Sequence, residues 1–410
     1  MYNVYEIRKQ FPMLNGKKTM QGKPLVYLDN SSTTFKPQCV IDAITNYYTN
    51  MTANSHRGDY DLAYNMDQQV LNCRKAIAGF VNCEPNEVVF TSGSTMSSNL
   101  IAYGYGDKFI KEGDEILLEE TGHASNLLPW FKLAERTGAI IKYIDLDKEG
   151  RITAKNLQNA LNSKTKIVAL ACVTNVLGYE IDIKEFASII HKVGAIFVVD
   201  GAQSVPHIKT DFKDSDIDFL FFSAHKMCGP TGIGCLIGKY NLLDKMDSFI
   251  TGGGMNETFE PNGEYVLHKA PEKLEGGTHN IEGIYGLNVA IKYLESIGME
   301  NIEKYESELR SYAMNKLREV KDIVIYNENA NSGIISFNVK GVFAQDLATL
   351  LNSKGIAVRS GNHCAKILKH QINEIATVRA SFYFYNTKEE IDALVEALKE
   401  GGNFLDAYFA

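Results

Sequence analysis

An aspartate and a lysine, each expected at the end of a strand, are the residues of this chain best suited to chemistry. Asp200 lies in the segment VVDGAQS, and Lys226 closes the segment SAHK further along the chain. Because the carboxyl ends of strands border the ligand crevice of an open α/β sheet, we expect both side chains to face one pocket. A lysine amine forms a Schiff base with an aldehyde, and a carboxylate keeps a pyridine nitrogen protonated. An arbitrary Asp and Lys would more often be solvated, but this context fits pyridoxal 5'-phosphate.

Hydroxyl and imidazole groups in three other segments could hold the phosphate and the ring of such a cofactor. Ser223 and His225 flank the lysine on a loop bordered by Gly and Pro. The segment TSGST, residues 91–95, follows a predicted strand and opens a helix, whose free amides favour anions. A plain helix cap explains TSGST equally well. His123, in GHASN, could stack on the ring, although an isolated histidine is more often structural.

The elements that must position these residues alternate from about residue 86 onward. Short β-branched runs predict strands at Glu87–Phe90, Glu115–Leu118, Ile140–Ile144, Lys166–Ala171, Ile196–Asp200, Asp218–Phe222 and Gly234–Ile237. Amphipathic stretches between them predict helices at Ala124–Thr137, Ala154–Asn162 and Ile183–Val193. This alternation is typical of a largely parallel sheet, so we expect an α/β domain.

A glycine-rich stretch after residue 250 interrupts the alternation and indicates loops or a hairpin. Helices are predicted beyond it at Ile281–Ile297, Met299–Val320 and Lys388–Gly401, and strands at Gly333–Val339, Ile356–Arg359 and Ile375–Ala380. We therefore predict a large domain over residues 15–280 and a smaller α+β domain over 281–410. The N-terminal segment 1–14, with a helix over Val4–Phe11, is expected to join the smaller one.

The overall composition excludes several classes of protein. A net charge of -8 and the lack of a basic run argue against nucleic-acid binding. No segment has the uninterrupted apolar length of a membrane span, and the N-terminus lacks the pattern of a secretory leader, so we expect a cytoplasmic protein. The cysteines are scattered without the spacing of a zinc site or a disulfide framework, which predicts reduced thiols and no metal. They are Cys39, Cys73, Cys83, Cys172, Cys228, Cys235 and Cys364.

Several of these segments together carry a family resemblance that runs nearly end to end. DGAQSVPH, SAHKMCGPTGIG, GHASNLLPW and GGTHN resemble the class V, fold-type I pyridoxal-phosphate enzymes. VRSGNHCA at 358–365 and VRAS at 378–381 resemble the group II, SufS-like cysteine desulfurases. The resemblance implies a fold-type I transferase, with a large, mostly parallel sheet domain and a smaller α+β C-terminal domain, that forms a homodimer.

The resemblance also implies a role for each matching residue. Lys226 would hold the cofactor covalently, Asp200 would pair with its pyridine nitrogen and Gln203 would bond its ring hydroxyl. His123 would stack on the ring. The phosphate would be bound by Ser94, Thr95, Ser223, His225 and, from the other subunit, Thr278. The substrate would be bound by Arg379, Asn175, Arg359, His56 and Arg57.

Cys364 is the expected sulfur-accepting nucleophile, which would turn L-cysteine into L-alanine and become a persulfide. A thiol is little ionised at neutral pH, so we expect Arg359 and His363 to make its setting positive. Free cysteines are usually buried, as we expect for Cys228, but a Gly-Asn-His-Cys loop argues against burial of Cys364. For Arg379, the alternative to binding the substrate carboxylate is a structural ion pair with an acidic residue.

The chain departs from the family pattern at Met96-Ser97, at Met255-Asn256 and at Lys366, after the thiol. The implied function is desulfuration of L-cysteine for iron-sulfur cluster assembly, through a SufE-like or SufU-like acceptor protein. The alternatives are a selenocysteine lyase or cysteine sulfinate desulfinase, and a class V aminotransferase. A scaffold without catalysis is a further alternative, but it would have no use for the pair of Lys226 and Asp200.

Overall fold

A large mixed sheet forms the centre of the computed structural model, which describes residues 2–16, 18–55 and 58–400. Within these ranges the sheet has seven strands, in the spatial order Val88–Thr91, Gly234–Gly238, Phe219–Ser223, Ile196–Asp200, Thr165–Ala171, Glu115–Leu118 and Ile140–Tyr143. Gly234–Gly238 is antiparallel to its neighbours, and the strands from Phe219–Ser223 to Ile140–Tyr143 pair in parallel. The predicted, mostly parallel α/β sheet is confirmed.

Helices cover both faces of this sheet, which is why its inner strands are apolar along their whole length. They include Asp61–Val81, Ser94–Ile101, Leu128–Thr137, Ala154–Ala160, Ile183–His191 and Ile281–Ile297, and Gln38–Asn46 packs against the last of these. Polar side chains cap three of them: Thr153 accepts from the amide of Asn156, Asp182 from that of Glu185 and Asn280 from that of Gly283. These caps fix where each crossover helix starts.

A second, antiparallel sheet lies towards the C-terminus. Its strands are, in spatial order, Ile323–Ile325, Ile334–Val339, Thr377–Ser381 and Arg359–Gly361. Helices Met299–Leu317, Ala344–Ser353 and Lys388–Lys399 accompany this sheet. A parallel pair, Val26–Tyr27 with Ile356–Ala357, lies beside it. This arrangement is the expected smaller α+β part of the fold.

Shorter elements connect the two sheets and the termini. The helical ones are Val4–Arg8, Pro12–Leu14, Tyr47–Met51, Pro85–Glu87, Ala102–Gly106, Asp107–Phe109, Ala124–Asn126, Ala224–Lys226, Tyr240–Leu243, Glu272–Leu274, Lys366–Leu368 and Lys369–Ile372. Thr19–Met20 pairs with Lys23–Pro24, and Asn256–Phe259 pairs with Tyr265–Leu267. The second pair confirms the predicted hairpin. No helix in the described ranges is both long and apolar enough to cross a membrane.

Two expected elements are each divided in two in the structure. The helix predicted over Ala124–Thr137 is broken at Leu127, where a 3₁₀ turn ends and Pro129 enters the first turn of the α-helix. The strand predicted over Ile356–Arg359 divides between two partners, Val26–Tyr27 and Thr377–Ser381. That division matters for the site, because it turns Arg359 towards the strand that carries Arg379.

The division of the chain at residue 280 remains a prediction. The N-terminal helix is tied towards the C-terminus, since Arg8 forms a 2.9 Å ion pair with Glu390. Ile284 and Leu287, on the helix that follows residue 280, are buried in the core beneath the large sheet. The packing of that helix therefore joins it to the large sheet.

Candidate active site

A cavity of about 210 Å³ opens where the carboxyl ends of the large sheet's strands meet the small sheet. Asp200 and Ser223 end two neighbouring parallel strands, and Arg359 and Arg379 reach the same cavity from the small sheet. The predicted residues that line it are Ser94, Thr95, His123, Asn175, Asp200, Gln203, Ser223, His225, Lys226, Arg359, Cys364 and Arg379. Residues far apart in sequence thus meet at one strand edge, as open α/β sheets favour.

Among the predicted site residues that the structure describes, Thr278 does not line this cavity. Thr278 is exposed on the loop before the helix Ile281–Ile297. Its contact with the phosphate of a second subunit remains a prediction. His56 and Arg57 lie outside the described residues.

Lys226 lies in a 3₁₀ turn directly after the strand Phe219–Ser223. Burial lowers the pKa of its ammonium group to about 8, against a smaller opposing effect of the Asp200 carboxylate. Asp200 is itself buried, which raises the pKa of its carboxyl group, and it accepts a 2.9 Å bond from the amide of Ala202. The neutral, nucleophilic fraction of the lysine amine near neutral pH is therefore much larger than for a solvated lysine.

The carbonyl oxygen of His225, directly before the lysine, is held by an unusual concentration of donors. Thr33 Oγ1 at 3.0 Å, Thr34 N at 3.0 Å, Thr34 Oγ1 at 3.2 Å and Lys36 Nζ at 2.9 Å all donate to it. The amide of Cys228 donates to Thr34 Oγ1 at 2.9 Å. This segment, residues 33–36, fixes the lysine turn. Sequence reasoning missed it, although a run of Ser and Thr after a strand was visible as SSTTFK.

Hydroxyl groups cluster at the N-terminus of the helix Ser94–Ile101. Ser223 Oγ accepts from the amide of Ser94 at 2.8 Å and lies 2.8 Å from Ser94 Oγ, while Thr95 Oγ1 lies 2.7 Å from Ser125 Oγ. Gly93 has a φ of +145°, and an added Cβ there would approach Ser223 Oγ to 3.2 Å. Open amides and hydroxyls at a helix start suit a phosphate.

Both imidazoles beside the lysine are neutral. Burial lowers the pKa of His123 and of His225 to about 4, and the Lys226 ammonium adds to the effect. The Nδ1 atom of His123 accepts from the amide of Ser125 at 3.1 Å, so its proton belongs on Nε2. An uncharged, oriented ring of this kind can stack on a flat cofactor.

Unsatisfied polar atoms provide a direct test of whether the cavity fits a polar cofactor and substrate. Within the described ranges, Gln203 Oε1, Asn175 Oδ1 and Arg379 Nε are buried without a hydrogen-bond partner. All three residues line the cavity. Because buried polar groups are almost always bonded in proteins, these atoms indicate a missing polar ligand. Together with the lysine, the acid and the hydroxyl cluster, they fit pyridoxal phosphate and an amino acid substrate.

Cys364 lies at the mouth of the cavity on an exposed loop. His363 and Cys364 both have left-handed backbones, with φ of 49° and 62°. The carbonyl of Cys364 accepts from the amide of Ala124 at 2.9 Å, and that of His363 accepts from Asn175 Nδ2 at 2.8 Å. The loop is thereby tied to the two walls that carry His123 and Asn175. The prediction that Cys364 is exposed is confirmed.

His363 does not provide the positive charge that was expected beside the thiol. Burial lowers the pKa of its imidazole to about 3, and the Arg379 guanidinium adds to the effect, so the ring is neutral. Its Nε2 atom lies 2.9 Å from Thr377 Oγ1. That expectation is wrong, and the positive groups near Cys364 are Arg359 and Arg379.

The remaining cysteines are free thiols, as expected. Cys228 is fully buried, which confirms that it packs in the core. Cys39 is exposed, but it does not line the cavity. Cys39 is therefore a natural control for experiments on Cys364.

Comparison with known proteins places this site in a family. The class-V aminotransferase family matches residues 26–394. A probable cysteine desulfurase of Halalkalibacterium halodurans is 43% identical, covering 99% of this chain and 100% of its own. A probable cysteine desulfurase of Staphylococcus aureus is 42% identical, covering 100% of this chain and 99% of its own.

Solved structures agree over the whole chain. The apo structure of a cysteine desulfurase from Thermococcus onnurineus superimposes with a TM-score of 0.92 at 36% identity, covering 98% of both chains. The cysteine desulfurase CsdA from Escherichia coli superimposes with a TM-score of 0.91 at 33% identity, covering 99% of both chains. With a cavity that fits pyridoxal phosphate, this chain belongs to the class-V aminotransferase family and, within it, to the cysteine desulfurases.

Proposed function

We propose that this protein converts L-cysteine to L-alanine and retains the sulfur as a persulfide on Cys364. The observation that carries the proposal is the placement of Lys226 and the exposed Cys364 on one cavity. A lyase that releases its product directly needs no thiol there, and neither does an aminotransferase. The identity of the relatives supports the same reaction.

Lys226 is the residue we assign to covalent cofactor binding and then to proton transfer at the substrate α-carbon. Its pKa of about 8 suits a base that works near neutral pH. Bound pyridoxal phosphate draws electrons from that carbon when Asp200 keeps its ring nitrogen protonated. Gln203 and His123 would hold the ring, and Ser94, Thr95, Ser223 and His225 would hold the phosphate.

Cys364 takes the sulfur by direct attack of its thiolate on the sulfur atom of the substrate. The S–S bond forms as the Cβ–S bond breaks, and the electron pair of the broken bond goes to carbon. The proton that the Cys364 thiol gives up is matched by one gained at Cβ, so the products are alanine and a persulfide. No external oxidant or reductant is required.

Arg379, Arg359 and Asn175 are assigned to the substrate, with His56 and Arg57 proposed at its entrance. Arg379 is buried, and its Nη1 donates to the carbonyl of Asn175 at 2.7 Å. It also forms a 3.2 Å ion pair with Asp29. A fixed guanidinium of this kind can pair with the substrate carboxylate through its remaining donors.

The persulfide must leave the protein, and its exposed position favours transfer to another protein. We propose a SufE-like or SufU-like acceptor and a cytoplasmic supply of sulfur for iron-sulfur clusters. We also propose a homodimer in which the exposed Thr278 reaches the phosphate of the partner subunit.

A comparison of substrates tests the proposal. Alanine formation would be measured with L-cysteine, L-selenocysteine and L-cysteine sulfinate, in the wild type and in Cys364→Ala. We expect loss of Cys364 to abolish turnover of L-cysteine and to spare the other two substrates, whose leaving groups need no thiol. Full turnover of L-cysteine by Cys364→Ala would refute the assignment.

A further inference from the structure

One serine hydroxyl joins the two arginines of the cavity. Ser32 Oγ accepts from Arg359 Nη1 at 2.7 Å and from Arg379 Nη2 at 2.9 Å. It donates to Asp29 Oδ1 at 2.7 Å. A hydroxyl has one proton and two lone pairs, so all of its hydrogen-bonding capacity is used by these contacts. Ser32 lines the cavity but has nothing left with which to bind a ligand.

This arrangement holds two like charges close together. The guanidinium groups of Arg359 and Arg379 come from antiparallel strands on which the two residues are directly paired. Like charges would separate without a shared acceptor, because their repulsion is stronger in a partly buried site than in water. Ser32 supplies that acceptor, and Asp29 cancels one of the two charges. The cluster keeps a net charge of about one, which suits a single carboxylate.

The free donors of Arg379 indicate where that carboxylate binds. Its Nη2 is occupied by Ser32 and Asp29, and one donor of Nη1 is occupied by the carbonyl of Asn175. Its Nε is buried without a partner in the described part of the chain. Because Nε and Nη2 share one edge of the guanidinium, a carboxylate that reaches Nε lies beside the contacts of Nη2 with Ser32 and Asp29. The position of the Ser32 hydroxyl thus determines which N–H groups of Arg379 can still donate to a ligand.

We propose that Ser32 is a positioning residue for substrate specificity, which sets the spacing of Arg359 and Arg379 for the α-carboxylate of the amino acid substrate. The inference rests on the proposed function and deepens it. Ser32 acts through the two arginines and does not itself contact the substrate. Its removal should weaken the binding of a carboxylate and leave the binding of an amine unchanged.

The experiment compares L-alanine with L-alaninamide, which has a neutral amide in place of the carboxylate. Both are titrated into the holoenzyme, and binding is followed by the change in cofactor absorbance, which does not require turnover. In Ser32→Ala we expect the Kd for L-alanine to rise about tenfold, since hydrogen bonds to charged groups are lost. The Kd for L-alaninamide should change less than about twofold.

Two further variants control for a general disturbance of the fold. Ser32→Thr keeps the hydroxyl and should restore the wild-type Kd for L-alanine. Ser32→Cys is close in size to serine, but its sulfur is a weak acceptor. It should show the same selective loss as Ser32→Ala, and it provides the test if Ser32→Ala does not fold.

Two results would overturn the proposal: equal weakening of both ligands, and no weakening of either. With L-cysteine as substrate, the variant should show a raised KM and a nearly unchanged kcat. Failure of the wild type to form alanine from L-cysteine would refute the proposed function instead. The comparison of L-alanine with L-alaninamide would remain valid in that case.

Discussion

The turn that carries Lys226 and the loop that carries Cys364 face the same cavity, but they are built differently. Donors from residues 33–36 converge on the carbonyl before Lys226, and Cys228 just after it is fully buried. Cys364 is exposed, and its loop is held to the cavity walls by the amide of Ala124 and the side chain of Asn175. A group that transfers protons at a fixed atom needs a rigid support, whereas a group that carries sulfur away must reach the surface.

Left-handed backbone occurs in both segments, at Cys228 beside the lysine turn with a φ of 62° and at two successive residues of the thiol loop. Non-glycine residues seldom adopt positive φ, and His363 and Cys364 do so in succession. Such conformations cost of order 1 kcal/mol or more each and persist where the surroundings impose them. The bonds of this loop to Ala124 and Asn175 impose them here. The strained backbone of this loop therefore holds the thiol at the cavity mouth and lowers the stability of the fold.

Removing the amine should have the largest effect. In Lys226→Ala we expect alanine formation to fall by about 10³-fold or more, because both covalent cofactor binding and the base are lost. The absorbance of covalently bound cofactor should disappear as well. Lys184→Ala, which breaks an exposed ion pair with Asp214, is the control and should retain both. Normal turnover in Lys226→Ala would show that the rigidly held Lys226 is neither the cofactor-binding amine nor the base.

Removing the thiol should impair sulfur transfer and leave cofactor binding unchanged. In Cys364→Ser we expect alanine formation from L-cysteine to fall by at least about a hundredfold, because a hydroxyl is a far poorer nucleophile towards sulfur. Cofactor absorbance should be unchanged, since the cofactor residues are untouched. Cys39→Ser removes the other exposed thiol and should be fully active. Loss of cofactor from Cys364→Ser would show that the thiol loop also supports cofactor binding, which contradicts this prediction.

The lowered pKa of Lys226 gives a pH dependence with a defined sign. Only the neutral amine attacks the cofactor aldehyde, so the rate of cofactor capture by the apo protein should rise with pH. We expect about a tenfold rise per unit below pH 8 and a plateau above it, following the pKa of about 8. Absorbance after rapid mixing with pyridoxal phosphate measures this rate. A rise that continues to pH 10 would show that the amine is not perturbed.

The smallest expected effect concerns the support of the thiol loop. Thr377→Val removes the hydroxyl that contacts His363 Nε2 and keeps the Thr377 carbonyl at 3.1 Å from it, at a cost of about 1 kcal/mol. We expect alanine formation to fall about fivefold because the thiol is less precisely held, with no change in cofactor affinity. Thr349→Val, which removes the hydroxyl of an exposed bond to the Gln345 carbonyl within one helix, is the matched control. A matching loss of cofactor affinity would show that a change in the Cys364 loop also disturbs the turn that carries Lys226.

Much of the fold could be predicted because local patterns and tertiary packing agree. The strands Glu115–Leu118 and Ile196–Asp200 match their predicted bounds, since each is an apolar run that ends at turn residues. The helix Asp61–Val81 was not predicted, although its buried residues Met66, Val70, Cys73 and Ile77 recur at helical spacing. The apolar spacing in the sequence would have revealed it.

The site was less predictable where its properties depend on burial and distant contacts. Lys226, Asp200 and Cys364 meet at one cavity as expected, because strand ends and a recognisable loop carry them. The neutral state of His363 follows from burial among residues far away in sequence. The bridge made by Ser32 follows from strand pairing in the small sheet. Neither follows from a local pattern of residues.

The most direct test of the account is mass spectrometry of the holoenzyme after brief treatment with L-cysteine. Digestion under conditions that preserve persulfides would locate any added sulfur. The account predicts one added sulfur on the peptide that contains Cys364 and none on the peptide that contains Cys39. Alanine formation without added sulfur on Cys364, or with the sulfur on Cys39, would contradict it.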